Sequence, residues 1–175
     1  MSTVNFRDVG ESLGLWLDPP PVRPGRLFRG GRMDALTRHA DIGSPGTILN
    51  LRRGPDEHRF SGVRYLHVPA SDELENYATE TRSVRAWLTR ALGALVHPDT
   101  IWPVYLHCTS GRDRTGVVVA AALLLLDVPQ DIVIEEYLLS QGAERGQIQR
   151  AIAGIAAGSG SLEINPDRLR AALAP

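Results

Sequence analysis

Short apolar runs closed by glycine, proline or charged clusters alternate along this chain with longer stretches of helical period. Leu27-Phe28-Arg29, Thr47 to Leu51, Val63 to Val68 and Val104 to His107 read as strands. Arg52-Arg53-Gly54-Pro55 stops the second, and Pro69-Ala70-Ser71-Asp72 is the loop that leaves the third. The clearest helix carries Val84, Trp87, Leu88, Ala91, Leu92 and Leu95 at the i, i+3, i+4, i+7 spacing of one apolar face. Arg82, Arg85 and Arg90 fall mostly on its solvated side. A second helix runs from the end of the Val104 strand's loop to about Leu126, where Asp127-Val128-Pro129 ends it. Further helices are expected over Asp131 to Gln141, over Gln147 to Ala157 (closed by Gly158-Ser159-Gly160), and over Asp167 to Leu173 behind Pro166. A brief helical turn is expected at Thr37 to Ala40, and Asp18 to Gly25 reads as a surface loop.

Strands separated by helical segments predict an α/β fold. The expected architecture is one domain over residues 1–175, with a mostly parallel central sheet of about four to five strands flanked and covered on both faces. In such sheets the site lies beyond the carboxyl ends of the strands. The loop after His107 and the loop holding Asp72 both follow strands, so both can reach that edge.

Composition narrows the class. With 43% hydrophobic and 22% charged residues and a net charge of −1, nothing points to nucleic acid as a partner. All 19 basic residues are arginine, which a GC-rich coding bias explains. The charged opening Met1 to Asp8 does not read as a signal peptide, and the longest apolar run, Gly116 to Leu126, is too short to span a bilayer. No stable membrane insertion is expected, and a reducing cytoplasm is the expected compartment. The single cysteine, Cys108, excludes an intrachain disulfide and argues against structural zinc; no metal or other cofactor is expected.

That cysteine sits in the segment that carries chemistry, His107-Cys108-Thr109-Ser110-Gly111-Arg112-Asp113-Arg114-Thr115-Gly116, between a buried strand and an apolar helix. A tight turn there aims successive backbone N–H groups at one spot above the helix N-terminus, a nest for phosphate or another oxyanion. Thr109, Ser110, Gly111, Arg112, Asp113 and Arg114 supply its wall. A helix N-terminus and adjacent cations favour the thiolate, so Cys108 is the candidate nucleophile. Arg114 suits a bidentate grip on two phosphoryl oxygens that lysine cannot reproduce. Thr115 is placed to hydrogen-bond the sulfur and help it leave, or to satisfy the helix N-terminus. His107 positions the loop, and Gly111 and Gly116 permit close backbone approach. A general acid must protonate the leaving oxygen: Asp72 is the first candidate and Asp113, inside the loop, the second, ahead of Glu73 and Glu75.

His107 to Gly116 resembles the His-Cys-five residues-Arg-Ser/Thr-Gly signature of the protein tyrosine phosphatase superfamily. Asn5-Phe6-Arg7-Asp8, Pro24 to Gly31, Asn50-Leu51-Arg52-Arg53 with Glu57, and Asp131 to Tyr137 are similar to segments of its bacterial and atypical dual-specificity branch. The resemblance implies a phosphomonoesterase that works through a phosphocysteine without metal, with Cys108 as nucleophile, Arg114 as clamp and Thr115 aiding breakdown. Asp72 resembles the acid-loop aspartate, although a Trp-Pro-Asp sequence is missing; relatives reading Gly-Lys-Asp-Arg give the acid role to the position of Asp113. Arg112 stands where those relatives carry lysine, which implies phosphoinositide or inositol phosphate substrates as the alternative to phosphotyrosine in proteins, with phosphoserine or phosphothreonine also possible substrates. Asn5, Arg7, Asp8, Arg29, Arg52 and Glu57 are expected to form a buried polar network that ties the N-terminus to the sheet.

A catalytically weak phosphate-binding module is the alternative of another class, and the joint presence of Cys108, Arg114 and Thr115 speaks against it. Arsenate reduction needs resolving thiols that this chain lacks, and sulfur transfer leaves Arg114-Thr115-Gly116 unexplained.

Overall fold

The computed structural model describes residues 3–70, 75–157 and 162–174. Along the chain, strand β1 (Arg7–Asp8) and helix α1 (Val9–Leu13) precede β2 (Leu27–Gly30), a 3-10 turn (His39–Ile42), β3 (Thr47–Asn50) and β4 (Arg64–His67). Then follow α2 (Arg82–Leu95), β5 (Val104–His107), α3 (Asp113–Leu125), α4 (Gln130–Leu138), α5 (Arg145–Ala157) and α6 (Pro166–Leu173). The strand order is β1-β2-β5-β3-β4, with β2, β5, β3 and β4 parallel and β1 antiparallel at one edge. The expected α/β class and mostly parallel five-strand sheet are therefore present.

Strand alternation divides the core in two. Leu27, Leu49, Val104 and Leu106 face the helices, while Phe28, Ile48 and Tyr105 face the opposite side. That opposite side is covered by Met33, Leu36, Ile42 and Phe60 from the 3-10 turn and loops, so helices pack on one face only among the described residues. The expectation of helical cover on both faces fails because the β2–β3 and β3–β4 connections contain no long apolar-periodic run. A short loop with a few large side chains is enough to bury that face.

On the helical side, α3 is the hub. Val117 through Leu123 are all buried, in contact with α2, α4, α5 and α6. The α2 stripe lies as its periodicity predicts, with Val84, Trp87, Leu88, Ala91, Leu92 and Leu95 buried. Burying side chains of this kind stabilises by about 1.5–3 kcal/mol each. The indole of Trp87 donates to the Val68 carbonyl at 3.0 Å, which fixes α2 against the end of β4. Thr81 caps α2 through its hydroxyl, and Asn165 caps α6.

The sequence pattern misses β1 and α1, which are too short to show a period. Asp8 makes that junction: its carboxylate accepts from the N–H groups of Gly10, Glu11 and Gly25. Other boundaries shift by a residue or two, as where α5 begins at Arg145 and the 3-10 turn begins at His39. The Gly158-Ser159-Gly160 stop lies outside the described residues, as do Asp72 and Glu73.

A buried ionic cluster joins the N-terminus to the helical layer. Arg29, fully buried on β2, donates to Glu136 Oε2 at 2.6 Å, and Arg7 Nε donates to Glu136 Oε1 at 2.8 Å. Burial lowers the Arg29 guanidinium to about 10 against the opposing pull of Glu136, so it stays charged at neutral pH. Removing one member of such a cluster leaves a charge uncompensated in the interior. Glu136→Ala should lower stability by about 3–5 kcal/mol, read as a drop in the urea midpoint; a loss below about 1 kcal/mol would mean that the cluster is not a structural keystone.

Candidate active site

Cys108 follows β5, the middle strand of the sheet, and is 2% exposed. The segment from Thr109 to Arg112 then turns back so that α3 starts at Asp113, with no side-chain cap at its N-terminus. An uncapped start leaves amide N–H groups available to an anion. The turn depends on Gly111, whose φ is +70° and whose missing Cβ would otherwise collide with the Gly30 carbonyl group. Gly116 permits a second close approach: a Cβ there would lie 2.7 Å from Tyr137 Cδ2.

The loop is held from outside. Arg29 NH2 donates to the Gly111 carbonyl at 3.0 Å, and Asn5 Nδ2 donates to the Ser110 carbonyl at 2.8 Å. The Asn5 Oδ1 accepts from the Gln141 N–H at 2.8 Å, which explains why Asn5 sits at φ +57°. The Arg32 N–H donates to the Thr109 carbonyl at 3.0 Å. These contacts occupy three successive loop carbonyls, those of Thr109, Ser110 and Gly111.

His107 is buried at the root of the loop. Its Nε2 lies 3.1 Å from Asp56 Oδ2, its Nδ1 lies 3.3 Å from the Cys108 carbonyl, and its ring stacks on Tyr105 at 5.4 Å. Arg114 NH1 donates to the Leu51 carbonyl, just after β3, at 3.2 Å. The Thr115 hydroxyl is buried and has no partner among the described residues. An unpaired buried hydroxyl retains its hydrogen-bonding capacity for whatever occupies the loop.

Asp113 is engaged by neighbouring side chains, the Ser110 hydroxyl at 3.5 Å among them. Its carboxylate accepts from Arg112 Nε at 3.0 Å, from Arg112 NH2 at 3.3 Å and from the Tyr77 hydroxyl at 2.7 Å. Burial raises its pKa, but these donors outweigh burial and hold the carboxyl below the usual carboxylate range. The Tyr77 phenol is pushed well above its ordinary value by burial, then by its bonds to Tyr137 and Asp113. Arg112 also donates through NH1 to the Gly142 carbonyl at 3.0 Å, so its guanidinium is engaged with protein groups. Asp72 and Glu73 lie outside the described residues; Glu75 pairs with Arg150 on α5.

The expected N-terminal network is present in part and with different carboxylates. Asn5, Arg7 and Arg29 belong to it, while Asp8 caps α1. Glu57 is exposed; besides Asp8, the buried carboxylates among the described residues are its neighbour Asp56 and, on α4, Glu136. Arg52 pairs with Asp34 at 3.1 Å and approaches Asp56 at 3.7 Å. Periodicity carries a signal for Glu136, which falls at i+3 from Val133 on the buried side of α4. No local pattern marks Asp56 or Tyr77.

Residues 1–174 match the family model described as tyrosine phosphatase family. The chain belongs to that family. The triple specificity protein phosphatase PtpB of Mycobacterium tuberculosis is 34% identical over 80 residues, which is 46% of this chain and 26% of that protein. The chain thus aligns with only about a quarter of that relative's length. Two crystal structures share the fold. The core catalytic domain of the PP-IP phosphatase SIW14 from S. cerevisiae has a TM-score of 0.59 at 18% identity, covering 87% of this chain and 86% of that one. TpbA of P. aeruginosa has a TM-score of 0.52 at 18% identity, covering 85% and 86%.

The Tyr77–Asp113 bond generates a titration prediction. A free aspartate titrates near ~3.9, and Asp113 in the fold titrates lower because its charged form is hydrogen-bonded. The stability from those bonds is present above the unfolded value and is lost as pH falls through the folded one. Tyr77→Phe removes one donor, so the Asp113 carboxyl resonance should titrate at higher pH than in the parent protein. An unchanged midpoint would assign the depression to Arg112 alone.

Proposed function

We propose that this protein hydrolyses phosphotyrosine in proteins through a phosphocysteine intermediate. The observation that carries the substrate class is the burial of Cys108, 2% exposed at the root of the loop. A phosphate on a long aromatic side chain reaches a recessed sulfur more readily than one on a short serine. Family membership and the uncapped start of α3 after Cys108 support the reaction type.

In the first step the Cys108 thiolate attacks phosphorus. An S–P bond forms, the ester P–O bond breaks, and the leaving phenolate takes a proton from the general acid. Arg114 and the amides from Thr109 to Arg114 carry the charge on the equatorial oxygens. In the second step water attacks phosphorus, the S–P bond breaks, and inorganic phosphate leaves. Thr115 donates to the sulfur as the thiolate re-forms, which gives its unpaired buried hydroxyl a partner. His107, fixed between Asp56 and the Cys108 carbonyl, positions the loop without touching substrate. Asp72 is the acid in this reading. Asp113, held ionised by Arg112 and Tyr77, stabilises the loop instead.

Two experiments test this. Phosphate release from a phosphotyrosine peptide, with chelator present, should exceed release from phosphoserine peptide and from a phosphoinositide. Cys108→Ser should reduce it by at least roughly 10³-fold while still binding oxyanions. Preference for the phosphoinositide would keep the mechanism and move the substrate class; no release from any substrate would leave a phosphate-binding module. The acid must be protonated, so the rate falls as pH rises through its pKa. Asp72→Asn should therefore remove the basic limb of the pH–rate profile, whereas loss of that limb only in Asp113→Asn would transfer the role to Asp113.

A further inference from the structure

A groove of about 450 Å³ lies away from the loop, between β4 at the sheet edge and the C-terminal half of α2. Leu66 and Ala94 give it an apolar floor, and Arg64, His67, Arg90 and His97 stand around it. Among the described residues, no carboxylate lines it. Asp99, beyond the lining, lies 3.8 Å from Arg64 and 3.8 Å from His97. Arg90 is exposed, and the Arg64 Nε–H has no acceptor among the described residues.

Among the described residues, β4 also has an outer edge that no strand pairs with. The N–H groups of Arg64 and Val68 donate inward to Gly46 and Asn50, each at 2.9 Å. Alternation then turns the N–H and C=O groups of Tyr65 and His67 outward, where no strand of the sheet follows β4. Open edges of this kind accept an added strand, with alternate side chains falling into flanking pockets.

We propose that this groove docks an extended, acidic polypeptide segment that pairs with the outer edge of β4. Its apolar side chains sit on Leu66 and Ala94, and its carboxylates meet Arg64 and Arg90. The charge of the rim selects the occupant, since a basic segment would be repelled. Register links the groove to the loop: His67 is level with Asn50, and Asn50 with His107. A strand outside β4 lies three strand spacings from β5, roughly 14 Å, a distance that a few residues of extended chain cover. As a docking site for sequence flanking the phosphorylated residue, the groove rests on the phosphoprotein reading given above.

Binding can be measured without turnover. The probe is a fluorescein-labelled peptide of about eight residues alternating Glu with Val, compared with the same peptide carrying Lys for Glu. Fluorescence anisotropy with the intact protein should show binding of the acidic peptide only. Arg90→Glu and Arg64→Gln should each weaken it, the charge reversal by at least roughly 10-fold, and N-methylation of alternate peptide amides should abolish it. No binding, equal binding of the Lys peptide, or indifference to both variants would overturn the proposal. So would Arg90-dependent capture of phosphatidylserine vesicles without peptide binding. Hydrolysis separates the two readings. With phosphotyrosine appended, Arg90→Glu should raise KM for the peptide and leave free phosphotyrosine unaffected. Peptide binding with no hydrolysis of either substrate would sink the phosphatase reading and keep the groove.

Discussion

The structure depends on one buried carboxylate that serves two arginines. Glu136 receives Arg7 from β1 and Arg29 from β2, and Arg29 reaches on to the Gly111 carbonyl. Four segments distant in sequence therefore meet at one point: the N-terminal strand, an inner strand, helix α4 and the loop after Cys108. An ion cluster in the interior is costly unless every member is paired. Arg29 cannot relax into water, because it is fully buried, so the loop position follows from the cluster.

The loop is consequently a rigid object hung between two anchors. At one end His107 is pinned by Asp56; at the other, Arg112 and Tyr77 grip Asp113. Between them Asn5 and Arg32 hold the carbonyls of Ser110 and Thr109. Three successive loop carbonyls are thereby occupied by protein donors, which fixes the backbone of the loop. Among the described residues, the buried Thr115 hydroxyl next to Arg114 in the chain has no hydrogen-bond partner, and neither have Arg29 Nε and Asp56 Oδ1.

Tyr77 extends the same logic beyond the loop. It follows closely on the segment that carries Asp72 and bonds both Asp113 and Tyr137, the latter at 2.8 Å. Thr79, two residues on, donates to the Ala151 carbonyl on α5. The stretch leading into α2 is thereby tied to the loop and to two helices.

Local chemistry made the loop legible from sequence alone. Cys108, Gly111, Arg114, Thr115 and Gly116 are neighbours in the chain, so spacing between a buried strand and an apolar helix fixes their relative placement. The α2 stripe was equally plain, because helical period is a local property. The choice of carboxylates was not. Glu57 was expected in the network beside Arg52, yet the chain turns so that Asp56 goes inward and Glu57 outward, and Glu136 arrives from far along the sequence. One-sided helical cover was hidden for the same reason, since loops that bury a sheet face have no period. The sequence by itself determined the family and the class of fold, both set by neighbouring residues. Only the tertiary structure decided which distant charges meet, because pairing depends on close approach in space, which periodicity does not encode.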